Sequence, residues 1–260
     1  MDKDDIDHLI NAVDQASQAI LSWYGDHSIN STKFKEDQSP LTEADLASNE
    51  ILLQALLARW PNVPVLSEES KNTFSDNESP DYYWAVDPLD GTKEFIKKNN
   101  EFTVNVALIS HGQPIFGILA APALDLLFVG SIDRGAQKRS KGEWTSLPYQ
   151  SESFDHRNYQ QHIKVAGSRS HPSSDLMDWL NLFQSYEFLE MGSSLKFCLV
   201  AEGKVNCYPR LGPTCLWDVA AGEAILRAVG GRILSWKDSS QLGIHYTYPK
   251  NVLNDYFLAV

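Results

Sequence analysis

The chain has 260 residues, of which 43% are hydrophobic and 22% are charged, and this composition is typical of a globular protein rather than a disordered or fibrous one. Lys and Arg number 22 against 34 Asp and Glu, so the formal net charge is −12 at pH 7. A surface this acidic repels a phosphate backbone unless it has a local basic pocket or binds metal, so we do not expect nucleic-acid duplex binding.

The apolar segments and the cysteines indicate a protein of a reducing, aqueous compartment. The acidic start lacks the pattern of a signal peptide, and the longest apolar stretch, 117–130, is too short to span a bilayer. The three cysteines form no C-x-x-C motif, which disfavours a disulfide framework or a zinc site. We therefore expect a cytoplasmic protein without a transmembrane segment. Peripheral association with the cytoplasmic face of the inner membrane stays open, as does the oligomeric state.

Periodicity predicts helices where apolar residues recur at helical spacing, and strands where they alternate or form short runs. Turn and breaker residues set the limits of these elements. In the first half the predicted elements are helices over 6–24 and 41–59 and strands over 64–67, 82–86, 102–108 and 115–120. In the second half they are strands over 163–166, 187–190 and 205–208 and helices over 173–183, 195–202 and 217–229.

Residues 131–160 are mostly polar and separate two halves, 1–130 and 161–260. We predict that this stretch is a linker or variable excursion between an N-terminal α+β half and a C-terminal α/β half that form one compact unit. Because strands and helices alternate in both halves, with a hairpin in the first, we expect layered sheets and helices.

The densest chemical signal is the segment Asp87-Pro88-Leu89-Asp90-Gly91-Thr92 after a hydrophobic strand. Two carboxylates three residues apart on a proline-stiffened turn can converge on one point, and the carbonyl between them can add a third oxygen. Oxygen ligands suit magnesium, manganese or calcium, and the Gly91-Thr92 amides can hold a phosphate. An EF-hand is excluded because Lys98 occupies position twelve, where a bidentate Glu is required. For this motif alone, a plain Asx-type turn stays an alternative.

Three further acids are ambiguous when each is taken alone. Glu68 follows a predicted strand and fits a solvated loop charge. Asp218 begins the late helix and fits a first-turn acid stabilised by the helix dipole. Asp45 fits the capping-box pattern of the segment Thr42-Glu43-Ala44-Asp45.

Together these segments resemble the signatures of the inositol monophosphatase superfamily. Segment 87–92 is similar to its D-P-[IL]-D-G-[ST] signature, segment 217–222 is similar to W-D-x-A-A-G, and Glu68-Glu69 matches its E-E pair. The resemblance covers the chain from residue 39 to residue 231. It implies the layered α-β-α-β-α sandwich of the sugar-phosphatase type, which is an α+β fold.

Other segments resemble one branch of that superfamily, the bacterial 3′(2′),5′-bisphosphate nucleotidases. These segments are 91–96, 168–171, 192–197 and 208–210. The chain departs from the pattern after Ser235, where relatives usually have a G-x-P-L turn and this sequence has 238–242 instead. That departure concerns the C-terminal edge and not the acidic segments.

The resemblance implies a metal-dependent hydrolysis. Several divalent ions neutralise the repulsion between a phosphate monoester and hydroxide, and water attacks in line without a phosphoenzyme. Glu68 and Thr92 would position that water, and Asp45 would orient the Thr92 hydroxyl. The implied ligands of two or three Mg²⁺ ions are Glu68, Asp87, Asp90, Asp218 and the carbonyl of Leu89.

The implied substrate is adenosine 3′,5′-bisphosphate, which would lose its 3′-phosphate to give AMP. The sulfated nucleotide 3′-phosphoadenosine 5′-phosphosulfate is a second candidate, and lithium inhibition is expected from the resemblance. A second phosphate in an acidic chain needs cations, for which Lys196 and Arg210 are the candidates. The implied substrate-binding residues are Glu68, Leu89, Asp90, Gly91, Thr92, Ser168, His171, Ser193, Lys196, Arg210 and Asp218.

Two other functions remain alternatives to this hypothesis. An inositol monophosphatase or a broad sugar-phosphate phosphatase would use the same acidic segments with a different substrate. A catalytically silent metal-binding scaffold would be expected to lack a ligand or a water-positioning residue. Lys33 and Lys35 fit either a flap near the metals or a solvated loop.

Overall fold

The structure is a computed structural model, and it describes residues 1–25, 33–34, 40–70, 80–148, 154–168, 174–241, 243–247 and 252–260. The α-helices in these ranges are α1 (Lys3–Gly25), α2 (Glu43–Arg59), α3 (Thr92–Ile96), α4 (Ser174–Leu180), α5 (Leu195–Ala201) and α6 (Leu216–Ala228). None of the helices in this described part is both long and apolar enough to cross a bilayer.

The strands are short in the outer parts of the chain and long in its centre. They are β1 (Lys33–Phe34), β2 (Pro40–Leu41), β3 (Val65–Ser67), β4 (Tyr82–Asp90), β5 (Thr103–Ser110), β6 (Gln113–Ala121), β7 (Leu126–Ser131), β8 (Gly135–Ser140), β9 (Glu143–Ser146), β10 (His162–Gly167), β11 (Ser185–Glu190), β12 (Tyr208–Arg210), β13 (Ile233–Ser235) and β14 (Phe257–Ala259).

A seven-stranded sheet in the order β3-β4-β5-β6-β7-β8-β9 forms the centre of the fold. β3 runs parallel to β4, and the remaining neighbours pair antiparallel. The hairpin predicted from the alternation in the first half is confirmed as β5–β6. The other strands form smaller sheets, β1-β2, β10-β11 and β12-β14-β13.

Helices bury both faces of the large sheet. Trp84 and Val86 of β4 pack in one apolar cluster with residues of α1 and α2. Tyr83 and Ala85, which alternate with them, lie in a second cluster with residues of α5 and α6. Period-two alternation therefore sends successive β4 side chains into two different cores.

Close contact between α6 and the sheet depends on glycine. A Cβ added at Gly117 of β6 would lie 2.5 Å from the carbonyl oxygen of Ala221, and one at Gly130 of β7 would lie 2.5 Å from the Cα of Ile225. Any side chain at either position would push the helix away from the sheet. The position of α6 matters for the site because Asp218 lies in its first turn.

The sheets β10-β11 and β12-β14-β13 form a further layer between α5–α6 and α4. Phe257 and Ala259 of β14 join the cluster that contains α5 and α6, whereas Leu258 joins a third cluster with Leu176 and Leu180 of α4. The layers thus alternate between helix and strand, and the predicted α-β-α-β-α sandwich of α+β class is confirmed.

The structure differs from the sequence prediction in the outer strands. Residues 131–160 contain β8 and β9, which extend the large sheet, whereas the polar sequence predicts a linker or variable excursion there. Every residue of the edge strand β9 is exposed, so burial imposed no apolar alternation on its sequence. The strand predicted over 205–208 was misplaced and is found at Tyr208–Arg210. The division into the halves 1–130 and 161–260 stays a prediction.

Candidate metal centre and substrate cavity

A β-bulge in β4 brings two acids of the central motif to one side of the sheet. Asp87 pairs with Asn105 and Asp90 pairs with Thr103, so two β4 residues face the single β5 residue between those partners. In a regular strand, residues three apart point to opposite faces, and the extra bulge residue cancels that alternation. The bulge therefore places Asp87 and Asp90 on the same side of the sheet.

Three carboxylates meet at the end of β4. One ligand oxygen from each of Glu68, Asp87 and Asp218 lies within 4.8 Å of the others. Glu68 follows β3, and its backbone N–H donates to the Val86 carbonyl oxygen at 3.2 Å, which fixes it beside β4. Asp218 comes from the first turn of α6. Three separate chain segments thus supply the cluster.

Local hydrogen bonds also give two of these acids a purely structural role, as the sequence analysis allowed. Asp87 Oδ1 accepts a hydrogen bond from the Leu89 N–H at 3.1 Å, which is an Asx-type turn. Asp218 Oδ2 accepts from the Cys215 N–H at 2.7 Å, as an acid in a capping box does. Each of these carboxylates has a second oxygen, so the structural role does not exclude a ligand role.

The electrostatics of the cluster fit a bound cation. Burial, followed by the charges of Glu68, Asp90 and Asp218, raises the pKa of Asp87 well above its ordinary value. Burial, with Asp90 as the next cause, raises the pKa of Asp218 to about 7. Carboxylates so placed repel one another and hold protons unless a positive charge neutralises them. The donors are all oxygens, which suits a hard divalent ion such as Mg²⁺.

Asp90 is held by hydrogen bonds on one oxygen. Its Oδ2 accepts from the Ser194 backbone N–H and hydroxyl, both at 2.6 Å, and from the Thr103 hydroxyl at 3.3 Å. Asp90 lies outside the group of three carboxylates, but its charge acts on both Asp87 and Asp218. Its Oδ1 is the oxygen that this arrangement leaves to a ligand.

Asp45 combines helix capping with a contact to the central motif. Its Oδ2 accepts from the Thr42 backbone N–H at 2.8 Å and from the Thr42 hydroxyl at 2.5 Å, which completes a capping box at the start of α2. Its Oδ1 accepts from the Thr92 hydroxyl at 3.2 Å. Asp45 is almost fully buried, and burial is the main cause that raises its pKa.

Thr92 and the Leu89 carbonyl lie next to each other. The Thr92 hydroxyl is 3.3 Å from the Leu89 carbonyl oxygen. Gly91 precedes the first residue of α3 with φ +87°, a left-handed conformation in which a side chain would be strained. Ser48 donates to the Pro88 carbonyl at 2.7 Å, so α2 also supports the backbone of the motif.

A cavity of about 250 Å³ adjoins the acidic cluster. It is lined by Asp90 and Gly91 of the first half of the chain and by Asp218 and other residues of the second half. Those second-half residues include the predicted substrate-binding positions Ser168, Ser193, Lys196 and Arg210. The fold therefore brings these predicted residues to one place.

Lys196 is not the solvated helix lysine that its position in the sequence allowed. It is 4% exposed, and its Nζ donates to the Met191 carbonyl at 3.2 Å and to the Ser193 carbonyl. Burial lowers its pKa to about 8, which still leaves the ammonium mostly protonated at pH 7. Its Nζ also lies 5.2 Å from the centre of the Tyr208 ring.

Two polar atoms of the cavity residues are buried without a partner. Within the described ranges, neither Arg210 Nε nor Ser193 Oγ has a hydrogen-bond partner. Arg210 is oriented by a hydrogen bond from its guanidinium to the Pro213 carbonyl at 2.9 Å. Buried polar groups are normally satisfied, so these two atoms could form hydrogen bonds to a polar ligand in the cavity.

Some cavity residues were missed by sequence reasoning. Four further residues line the cavity, although the motifs did not predict them as substrate-binding residues: Lys93, Glu94, Tyr208 and Thr214. Asn105 was also missed, because a strand residue opposite Asp87 has no sequence signal of its own. His171 and Lys35 lie outside the described residues, and the side chain of Lys33 is likewise not described.

This geometry agrees with the family comparison. A model of the inositol monophosphatase family matches residues 2–256, so the chain belongs to that family. Over 252 residues it is 38% identical to the 3′(2′),5′-bisphosphate nucleotidase CysQ of Escherichia coli strain K12, a match that covers 97% of this chain and 98% of that protein.

Solved structures support the same fold. CysQ from Bacteroides thetaiotaomicron, a bacterial member of the family, is 35% identical with a TM-score of 0.79, covering 97% of this chain and 95% of that one. An inositol monophosphatase from Anabaena is 24% identical with a TM-score of 0.71, covering 98% and 89%. The second likeness shows the shared fold alone.

Proposed function

We propose that this protein is a Mg²⁺-dependent 3′(2′),5′-bisphosphate nucleotidase that hydrolyses the 3′-phosphate of adenosine 3′,5′-bisphosphate to give AMP and phosphate. The observation that carries the proposal is one cavity lined both by the carboxylates Asp90 and Asp218 and by the cations Lys196 and Arg210. The relatives at 38% identity that are named as such nucleotidases support the same substrate class.

The charge distribution favours a substrate with two phosphates. The carboxylates would bind the reacting phosphate through divalent ions. The cations can then hold a second anionic group away from the reacting phosphorus, because Arg and Lys make charge-assisted hydrogen bonds to phosphate. 3′-Phosphoadenosine 5′-phosphosulfate has the same distribution of charge and is the second substrate that we propose.

The residues that would hold two or three Mg²⁺ ions are Glu68, Asp87, Asp90, Asp218 and the carbonyl of Leu89. When bound, such ions neutralise phosphate charge and lower the pKa of water. Oxygen donors on five residues from three chain segments give a set that hard cations prefer, and the raised pKa values of Asp87 and Asp218 support the need for positive charge there.

Thr92 and Asp45 can accept the proton of the attacking water by a two-step transfer. Because the Thr92 hydroxyl donates to Asp45 Oδ1, its oxygen presents lone pairs to a water placed beside Glu68. The water proton can pass to Thr92 Oγ1 while the Thr92 proton passes to Asp45 Oδ1. Asp45 is suited to accept it because burial raises its pKa.

A phosphate-release panel tests the proposal. The substrates are adenosine 3′,5′-bisphosphate, the sulfated nucleotide, 3′-AMP and inositol 1-phosphate, each with Mg²⁺, with EDTA, and with Mg²⁺ plus Ca²⁺ or Li⁺. We expect the highest kcat/KM with the bisphosphate, no turnover in EDTA, and inhibition by both added ions. Ca²⁺ should compete because it accepts the same oxygens in less regular geometry.

The panel also separates the alternatives. A higher kcat/KM with inositol 1-phosphate would replace the proposal with the sugar-phosphate phosphatase. An absence of turnover on every substrate, by protein that binds Mg²⁺, would favour the silent scaffold. Protein with Asp87→Asn, purified in parallel, reports any contaminating phosphatase.

A further inference from the structure

The loop 191–194 contributes three residues to the lining of the cavity, and hydrogen bonds anchor it along its length. The Gly192 N–H donates to Glu101 Oε2 at 2.8 Å. Lys196 binds the carbonyls of Met191 and Ser193. At the end of the loop, Ser194 contacts Asp90. These three anchors come from different chain segments, so the loop has little freedom to move.

Ser194 makes a set of contacts that no other described residue of this loop makes. Its backbone N–H and its hydroxyl both reach Asp90 Oδ2 at 2.6 Å. Its hydroxyl also reaches the Asp218 backbone carbonyl at 2.7 Å. Ser194 thus touches two proposed metal-binding residues, one on β4 and one on α6, which are far apart in the sequence.

Asn105 occupies one acceptor position of the Ser194 hydroxyl oxygen. The Asn105 side-chain amide donates to Ser194 Oγ at 3.0 Å, so one lone pair of that oxygen is used. The single hydroxyl proton is then donated to the Asp90 carboxylate, because an ionised acceptor binds it more strongly than the Asp218 carbonyl oxygen does. Ser194 is 3% exposed, so water has little access to its side chain.

The result of these bonds is an oriented carboxylate. With Oδ2 occupied by Ser194 and Thr103, Asp90 is turned so that Oδ1 is available to a cation. Hydrogen-bonded partners of metal ligands commonly set ligand orientation, and their loss costs about 10- to 100-fold in metal affinity.

We infer that Ser194 is a positioning residue for the metal centre: it orients Asp90 and thereby sets the affinity for a divalent ion. The inference rests on the proposed metal-dependent function and extends it to a residue that binds neither the ion nor the phosphate. It also links the cavity loop to the metal centre through one side chain.

Titration of substrate-free protein with Mn²⁺, followed by calorimetry, tests the inference without any turnover. We expect Ser194→Ala to weaken Mn²⁺ binding by about ten-fold or more, since it removes the hydroxyl but keeps the backbone N–H bond. Thr103→Val should weaken binding in the same direction and by less, because it removes only the longer contact to the same oxygen, at 3.3 Å.

A matched control is available in α1. Ser17 is buried, and its Oγ has no hydrogen-bond partner among the described residues. Ser17→Ala should therefore leave the Mn²⁺ dissociation constant unchanged. Thermal unfolding in EDTA shows whether each variant is folded, and Thr103→Val keeps the test decisive if Ser194→Ala does not fold.

The outcomes distinguish this inference from the proposed function. Wild-type affinity in both folded Ser194→Ala and Thr103→Val would overturn the positioning role while leaving the metal centre intact. An equal loss in Ser17→Ala would also overturn it, because the effect would then be general. Wild-type protein that binds no Mn²⁺ would overturn the metal centre and the positioning role together.

Discussion

The exchange Asp45→Asn separates two roles that one carboxylate performs. Asp45 Oδ2 accepts two bonds from Thr42, whereas Oδ1 accepts one from the Thr92 hydroxyl. Asparagine offers one carbonyl oxygen and one NH₂ group. If the oxygen stays with Thr42, the NH₂ group faces Thr92 Oγ1 across the present 3.2 Å and the hydrogen bond reverses. Capping then survives, and the acceptor for the Thr92 proton is lost.

The expected magnitudes follow from that geometry. Loss of a general base costs about 10²- to 10⁴-fold, so kcat on adenosine 3′,5′-bisphosphate should fall by that range. The free energy of unfolding should change by less than the roughly 0.5–2 kcal/mol that removal of an N-cap costs. Steady-state phosphate release gives kcat, and urea unfolding gives the stability.

The reciprocal variant is Thr42→Val, which removes the capping hydroxyl and leaves Thr92 and Asp45 in place. It should lose about 1 kcal/mol of stability and keep most of its turnover. The reasoning is refuted if Asp45→Asn keeps a near-normal kcat, or if its loss of activity merely follows a large loss of stability.

Three further predictions concern the metal centre, the cavity and the core. Asp87→Asn should abolish turnover at limiting Mg²⁺ while near-normal circular dichroism shows a folded protein; activity at low Mg²⁺ would contradict the ligand role. Lys196→Met and Arg210→Ala should each lower the ratio of kcat/KM for adenosine 3′,5′-bisphosphate to that for 3′-AMP by about ten- to a hundred-fold, and an unchanged ratio in both removes the second-phosphate pocket. Burial raises the pKa of Glu223 from 4.5 to about 7, so its contribution to stability falls as the pH rises through that interval. The free energy of unfolding by urea should therefore vary less between pH 5 and 8 in Glu223→Gln than in wild type. If the free energies of the two proteins change with pH in parallel, Glu223 does not titrate in this range.

The acidic motif illustrates how far sequence reasoning reached. Residue type and spacing predicted that Asp87 and Asp90 supply oxygens at one point, since carboxylates on a proline turn are readily recognised. The reason why residues three apart face the same way is the bulge between them, and the bulge depends on pairing with β5. Spacing alone does not reveal such a register shift.

Burial was the main property that the local sequence hid. The sequence was consistent with Lys196 as a solvated helix residue. Tertiary packing instead buries its side chain, and its ammonium group donates hydrogen bonds to two backbone carbonyls. Ser194 lies in the segment 192–197 that carries the resemblance, but neither Ser194 nor Asn105 was predicted as a site residue. Their importance comes from contacts across 89 residues of sequence.

The sequence by itself determined the main helices and central strands, the oxygen chemistry of the acidic segments and the family resemblance, because these depend on local periodicity and on short motifs. Tertiary structure alone decided that Glu68, Asp87 and Asp218 meet within 4.8 Å, that Asp45 serves both α2 and Thr92, and that the cations share a cavity with the acids. These features join segments that are distant along the chain. Their positions are fixed by how α2 and α6 pack on opposite faces of one sheet, which no local pattern contains.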